Sequence, residues 1–294
     1  MKNRKKLVYL MTAMFVLVIV VAELALMKQE RFSFAVEVIT EGGSETVKPW
    51  YQEEEGCYYV FLPSYADPDQ AKLVTNFLNP LWIQGEKVKA GMACGAFSFN
   101  EKLEIRYGTP EETQTGTIYF CKSGNVPTLY IDTASGTMDF IHEQKGNTES
   151  AKLRLYMPDG ELDINTRIQS ISGRGNSTWH YSPKKPYSLE LTQRVDLLGM
   201  GSAKKWILLA NYFDTSNMGN KMCFDFAAAA GCAYTPECQW ADLYLNGSYA
   251  GLYLLSERNE VDHQRVDIPR ENSFLISKAV QWQAEKSKLR IVYL

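Results

Sequence analysis

The sequence predicts an α+β protein in three parts: an N-terminal membrane anchor, a small β-rich extracellular domain and a mixed domain that follows it. Three observations predict it. A basic start, MKNRKK, runs into the apolar stretch Leu7–Met27, whose one charge is Glu23. Short runs of β-branched and aromatic residues recur from about Arg31 to Gly124. After Val126, strand-like runs are interrupted by one clear helical pattern and then by an Asn-Gly hairpin.

Leu7–Met27 is close to the roughly 20 apolar residues that cross a bilayer. Lys2, Arg4, Lys5 and Lys6 predict that residues 1–6 stay in the cytoplasm and the remainder is exported. A cleaved signal peptide is the competing reading. The stretch exceeds an h-region of about 7–15 residues and no A-x-A site follows it, which favours an uncleaved, single-pass anchor over residues 7–27.

In the β-rich domain, residues 31–124, FAVEVI, CYYVFLP, KLEIRY and GTIYFCK read as strands separated by Gly, Asn, Asp or Pro. They suit a small sandwich, and nothing in them has catalytic spacing. The second domain, residues 126–294, opens with VPTLYIDT, TMDFIHE and KLRLYM as strands, and Asp159-Gly160 marks a hairpin turn. IQSISG leads into GRGNSTWHYSPKKPYSLEL, whose Tyr187, Leu189 and Leu191 share one strand face. WILLAN, Trp206 to Asn211, reads as a strand buried on both faces.

A helix is expected next. Asp214 is a candidate N-cap, Met218, Met222, Phe226 and Ala230 recur every fourth residue, and Gly231 stands where a helix stops. Gly219 weakens it by about 1 kcal/mol relative to Ala. Asn246-Gly247, between DLYL and SYAGLYLL, predicts a type I′ hairpin.

Composition narrows the chemistry. The net charge is −3, and beyond the first six residues Lys and Arg are scattered, so no nucleic-acid partner is indicated. Six cysteines without a C-x-x-C pair argue against a zinc ribbon and for free thiols with one bridge at most. Cys223, inside the helical pattern, reads as a buried thiol. There is no GxxxxGK[ST], and GRGNST lacks the third glycine of GxGxxG. His142, His180 and His263 have no triad partners by pattern, and Glu53–Glu55 reads as a solvated face.

The loop after Gly173 admits two readings of equal weight. Gly173 and Gly175 expose backbone N–H groups to an anion, with Arg174 and Lys184 or Lys185 supplying charge. Alternatively it is a tight hairpin with solvated lysines. DTSNMGN approaches a kinase D-x-x-x-x-N loop, but Gly219 stands five residues after Asp214 and Asn220 six, so the spacing fails.

GRGNSTW with KKPYSLEL, then LLGM and KKWILLANYFDTSNMGNK, then DLYLNGSYAGLYLLSE and NEVDHQRVDI, resemble, in this order, the CotH kinase family, the relatives of spore coat protein H. The resemblance implies that residues 126–294 are the N-lobe-like part of an atypical protein-kinase-like fold that binds ATP and Mg²⁺ and phosphorylates protein Ser or Thr. It places Arg174, Asn176, Lys185 and Glu257 at the nucleotide, with Arg174 and Lys185 on the phosphates. The helix after Asp214 takes the position of a kinase αC.

This chain departs from the family at Gly219, which stands where an arginine is usual. The family's catalytic Asp/Asn loop and metal-binding Asp segment are expected beyond Leu294. No catalytic residue and no metal ligand is therefore assigned within the chain, which reads as a truncated or inactive member that does not phosphorylate alone. A surface or coat protein is the implied partner. A non-catalytic surface module is the alternative, and carbohydrate binding through Trp50, Tyr51, Tyr58 and Tyr59 is a third.

Overall fold

The computed structural model describes residues 14–18, 34–40, 42–75, 80–108, 113–269, 275–279 and 288–292. It is a β-rich α+β fold. The expected span over residues 7–27 lies outside the described residues except for 14–18, which are helical and exposed. Among the described residues no helix is long and apolar enough to cross a membrane.

Among the described residues the first unit holds nine strands: β1 (Phe34–Thr40), β2 (Gly43–Val47), β3 (Trp50–Gln52), β4 (Cys57–Leu62), β5 (Lys72–Thr75), β6 (Leu81–Ile83), β7 (Glu86–Lys87), β8 (Lys102–Gly108) and β9 (Thr113–Lys122). They form a three-stranded sheet, β2-β1-β5, and a six-stranded sheet, β3-β4-β9-β8-β6-β7. Alternation sends Val36, Val38, Val60, Leu62, Leu103, Ile105, Ile118 and Phe120 into one shared core. All four strand runs read from this part of the sequence are strands.

The second unit is a closed barrel, ordered β10-β11-β12-β13-β14-β16-β15. Its strands are β10 (Thr128–Thr133), β11 (Thr148–Tyr156), β12 (Leu162–Gly173), β13 (Tyr187–Asp196), β14 (Ser202–Leu209), β15 (Cys238–Leu245) and β16 (Ser248–Glu257). Every pairing is antiparallel except β10 with β15, which closes the barrel in parallel. Ile171, Leu189, Trp206, Leu243 and Leu255 fill the interior. Tyr187, Leu189 and Leu191 are all buried, as their alternation requires. β17 (Leu275–Ala279) and β18 (Lys288–Val292) form a separate pair.

The units share a packed boundary. Tyr130, Tyr156 and Tyr244, on the barrel's outer surface, join the core of the first unit. Glu45 of β2 is paired with Arg154 of β11 and accepts the Tyr156 hydroxyl at 2.8 Å. Tyr244 donates to the Phe61 carbonyl at 2.7 Å.

Three local expectations change. TMDFIHE is not a strand: Asp139–Glu143 is a short helix, α1, that buries only Ile141 while it connects β10 to β11. Trp206 and Leu208 point inward while Ile207 and Leu209 are half-buried, so WILLAN is one-sided because a barrel strand has one interior face. Cys223 is exposed, and all six cysteines are free. Asp159-Gly160 turns β11 back into β12 as a hairpin, as expected, with Gly160 at a positive φ of 98°.

Candidate functional site

The glycine-rich motif is folded around its tryptophan. Gly173 ends β12, and a Cβ there would lie 2.2 Å from the Trp179 ring. Only glycine lets the ring enter the barrel core. Gly175 has φ +77° and lies against the Thr178 hydroxyl. The Asn176 carbonyl then accepts the N–H groups of Trp179 and His180, each at 3.0 Å, starting the short helix α2 (Ser177–Tyr181). The Arg174 N–H bonds the Pro186 carbonyl at 3.1 Å. Much of the motif's backbone and both glycines are thus spent on closing the end of the barrel.

The two lysines diverge. Lys184 donates to the Leu252 carbonyl at 2.6 Å and lies 4.5 Å from the centre of the Tyr253 ring. Burial holds its ammonium below the ordinary lysine range, opposed by Asp242. Lys185 donates to the Trp179 carbonyl at 2.6 Å and lies over that ring at 5.5 Å. It lines a cavity of about 490 Å³ with His142, Lys145, Trp179 and His180. Asn176 reaches the same neighbourhood, accepting the Lys145 ammonium at 3.0 Å. The His142 imidazole Nε2 shares a 2.7 Å hydrogen bond with the Tyr187 hydroxyl.

Arg174 is placed differently. Among the described residues no side chain or carbonyl engages its half-buried guanidinium. Burial, with the second guanidinium of Arg258 nearby, pushes it below the ordinary arginine range. A half-buried guanidinium without a described partner, with the exposed Arg258 adding to the positive field, is a place where an anion would be stabilised.

Glu257 is buried, 8% exposed, and its partner is internal. Its Oε2 accepts the Glu237 N–H at 3.0 Å, and its Oε1 accepts from Arg265. Burial raises the carboxyl, while the Glu237 N–H and Arg265 pull it back. The Arg265 guanidinium lies 4.7 Å from the centre of the Trp206 ring, and its Nε and Nη2 have no partner among the described residues.

The four residues expected at a nucleotide therefore fall into three places. Lys185 and Asn176 stand by α1 and α2, Arg174 stands with Arg258, and Glu257 pairs with Arg265. Arg258 carried no pattern in the sequence, and Arg265 stood within NEVDHQRVDI without an assigned role. Their positions depend on β16 docking between β14 and β15.

The predicted helix exists as α3 (Gly219–Ala229). Asp214 is not its N-cap residue, yet its Oδ2 accepts the Gly219 N–H at 2.6 Å. A hydrogen bond from the Ser216 hydroxyl, and then that from Gly219, hold the Asp214 carboxyl below the ordinary range. A Cβ on residue 219 would come within 2.8 Å of the same carboxylate oxygen, so a side chain there would have to displace Asp214. At the other end Gly231, φ +75°, donates to the Ala228 carbonyl, and Cys232 donates to that of Ala227, a Schellman stop. The apolar stripe is not core: Met218, Met222 and Phe226 are exposed.

Asn246 and Gly247 have φ of +51° and +81° and turn β15 into β16, as their type I′ chemistry requires. Among the described residues no group of three or more His, Cys, Asp or Glu could hold a metal ion.

No curated protein matches the chain. The family model described as CotH kinase protein matches residues 171–288. That segment begins two residues before Gly173 and contains Arg174, Asn176, Lys185, α3, the Asn246-Gly247 turn and Glu257. Over residues 171–288, and so over less than half of its length, the chain is similar to the CotH kinase protein family.

Proposed function

We propose that this is a kinase-like CotH protein that binds the phosphates of ATP between Arg174 and Arg258, held at the cell membrane by residues 7–27 with its bulk outside. The observation that carries the reading is the partnerless, half-buried Arg174 guanidinium beside a second arginine. A phosphate would relieve that repulsion through the fork geometry of both side chains. Lys185 and Asn176 lie in the same motif, and Glu257 precedes Arg258, so the family positions surround the arginine pair in sequence.

Mg²⁺ has no matching ligand group among the described residues. No step of phosphoryl transfer is assigned to them, and on this reading the described part binds nucleotide without completing transfer alone. Kinetic assays with a protein substrate would bear on that part separately.

Thermal denaturation with and without Mg-ATP tests the binding. Nucleotide at 100 times its Kd should stabilise the native state by about 2.7 kcal/mol. Arg174→Ala and Arg258→Ala should each reduce the shift. No shift at millimolar ATP, or an undiminished shift in both variants, defeats the reading.

A second reading, a structural module that docks a surface or coat protein, is favoured by the exposed Met218, Met222 and Phe226 stripe of α3. Its test is loss of co-assembly on Phe226→Ser with the ATP response unchanged.

A further inference from the structure

A cleft of about 750 Å³ lies between the first unit and the barrel. Its walls are stitched together. The Lys48 N–H donates to the Gly247 carbonyl at 2.8 Å, and Lys48 bridges Ser248 in parallel. The Phe61 ring of β4 stacks on Tyr249 of β16 with centroids 4.6 Å apart. The cleft is therefore a built feature, not a gap between loosely joined domains.

Its chemistry is mixed in a specific way. Lys48, Lys184 and Lys185 all line it, against one acid, Asp139. Lys184 and Lys185 each give one bond to a backbone carbonyl, which leaves further donors on each ammonium. Lys48 has no side-chain partner among the described residues and is exposed. Trp50, 51% exposed, also lines the cleft, with Phe61, Tyr249 and Tyr253. Thr137 and Ser248 add hydroxyl groups.

We propose that this cleft binds an acidic saccharide, with a ring face on Trp50, its carboxylate among the lysines, and its hydroxyls on Thr137, Ser248 and Asp139. The balance favours a monoanion over a polyphosphate. Two of the three ammonium groups already serve carbonyls, and Asp139 would repel several added negative charges but accepts hydroxyl donors. Aromatic side chains offer the apolar surface that a sugar ring covers, and their polar tips tolerate its wet edges. Lys48 and Trp50 come from the first unit, which thereby supplies the stacking ring and one of the three lysines. This site is separate from the Arg174–Arg258 pair and stands without it.

The test titrates the full-length chain with a glucuronate-terminated disaccharide, a neutral disaccharide and Mg-ATP, followed by tryptophan fluorescence. The acidic sugar should bind saturably and perturb the fluorescence. Trp50→Ala should abolish that signal, and Lys48→Ala should weaken binding by about tenfold, the scale of one lost charge contact. Both variants should keep the wild-type Tm without ligand, because both side chains are exposed. Absence of saturable binding, equal affinity for the neutral sugar, or displacement of the acidic sugar by ATP would each overturn the proposal.

Discussion

Trp179 occupies the space that a side chain on residue 173 would need, its ring lying 2.2 Å from the position of a Gly173 Cβ. The first glycine of the family motif is thus a packing residue. Gly173→Ala should cost about 1–3 kcal/mol by forcing the ring from the barrel. Trp179→Ala should cost about 3–5 kcal/mol. In urea denaturation the double variant should be less destabilised than the two losses summed, because the added methyl then fills part of the vacancy. A neutral Gly173→Ala would contradict this packing.

Glu45 and Arg154 join the two units. Their side chains are only 8% and 12% exposed, and Asp132 and Tyr156 complete the group. Arg154→Ala leaves Glu45 buried with only the Tyr156 hydroxyl to hold its charge, and should cost about 3 kcal/mol. Unfolding followed by fluorescence should then separate into two transitions, while the parent unfolds in one. A single transition at unchanged midpoint would show that the aromatic boundary alone couples the units.

Among the described residues Glu257 is the one carboxylate paired with Arg265, whose side chain is 1% exposed. Glu257→Ala should cost about 3–5 kcal/mol, since it strands a cation inside the barrel. Replacing both, Glu257→Leu with Arg265→Met, should recover most of that loss. If the single variant is benign, Glu257 has no structural role and its part in ligand binding gains weight.

His142 gives the protein a shallow acid sensitivity. Partial burial, and then the Lys185 ammonium beside it, hold its imidazole below the ordinary histidine value of about 6.5. Below that value the unfolded chain binds more protons than the native state, so stability falls as pH falls through the depressed native value. The contribution is intact above pH of about 6.5. His142→Gln should flatten that slope, and Lys185→Gln should raise the His142 titration midpoint measured by NMR. An unmoved midpoint would place Lys185 too far away to matter.

Most elements were legible because their signals are local. Period-two alternation marked β1, β4, β8, β9 and β13, and Asn246-Gly247 marked its turn through the backbone angles that pair tolerates. Gly231 marked the end of α3 for the same reason. The α1 segment misled because its few apolar residues alternate by chance, while its backbone closes a short helical turn from Met138 to His142. In α3 the four-residue stripe correctly gave a helix but not its surroundings. Periodicity reports that one face is apolar, and only a packed neighbour makes that face core.

By itself the sequence determined the strands, the turns, the helix stop and the family motifs, because each depends on neighbours a few residues away. Tertiary structure decided which charge met which. Glu45 finds Arg154 across 109 residues, and the parallel β10–β15 pairing joins Leu129 to Leu243. Whether a motif lysine faces a ligand, a carbonyl or solvent depends on that closure. Arg174 and Glu257 share a motif set in sequence, yet among the described residues one has no partner and the other an internal counter-ion, because Arg174 lies in the loop after β12 while Glu257 ends β16 beside Arg265.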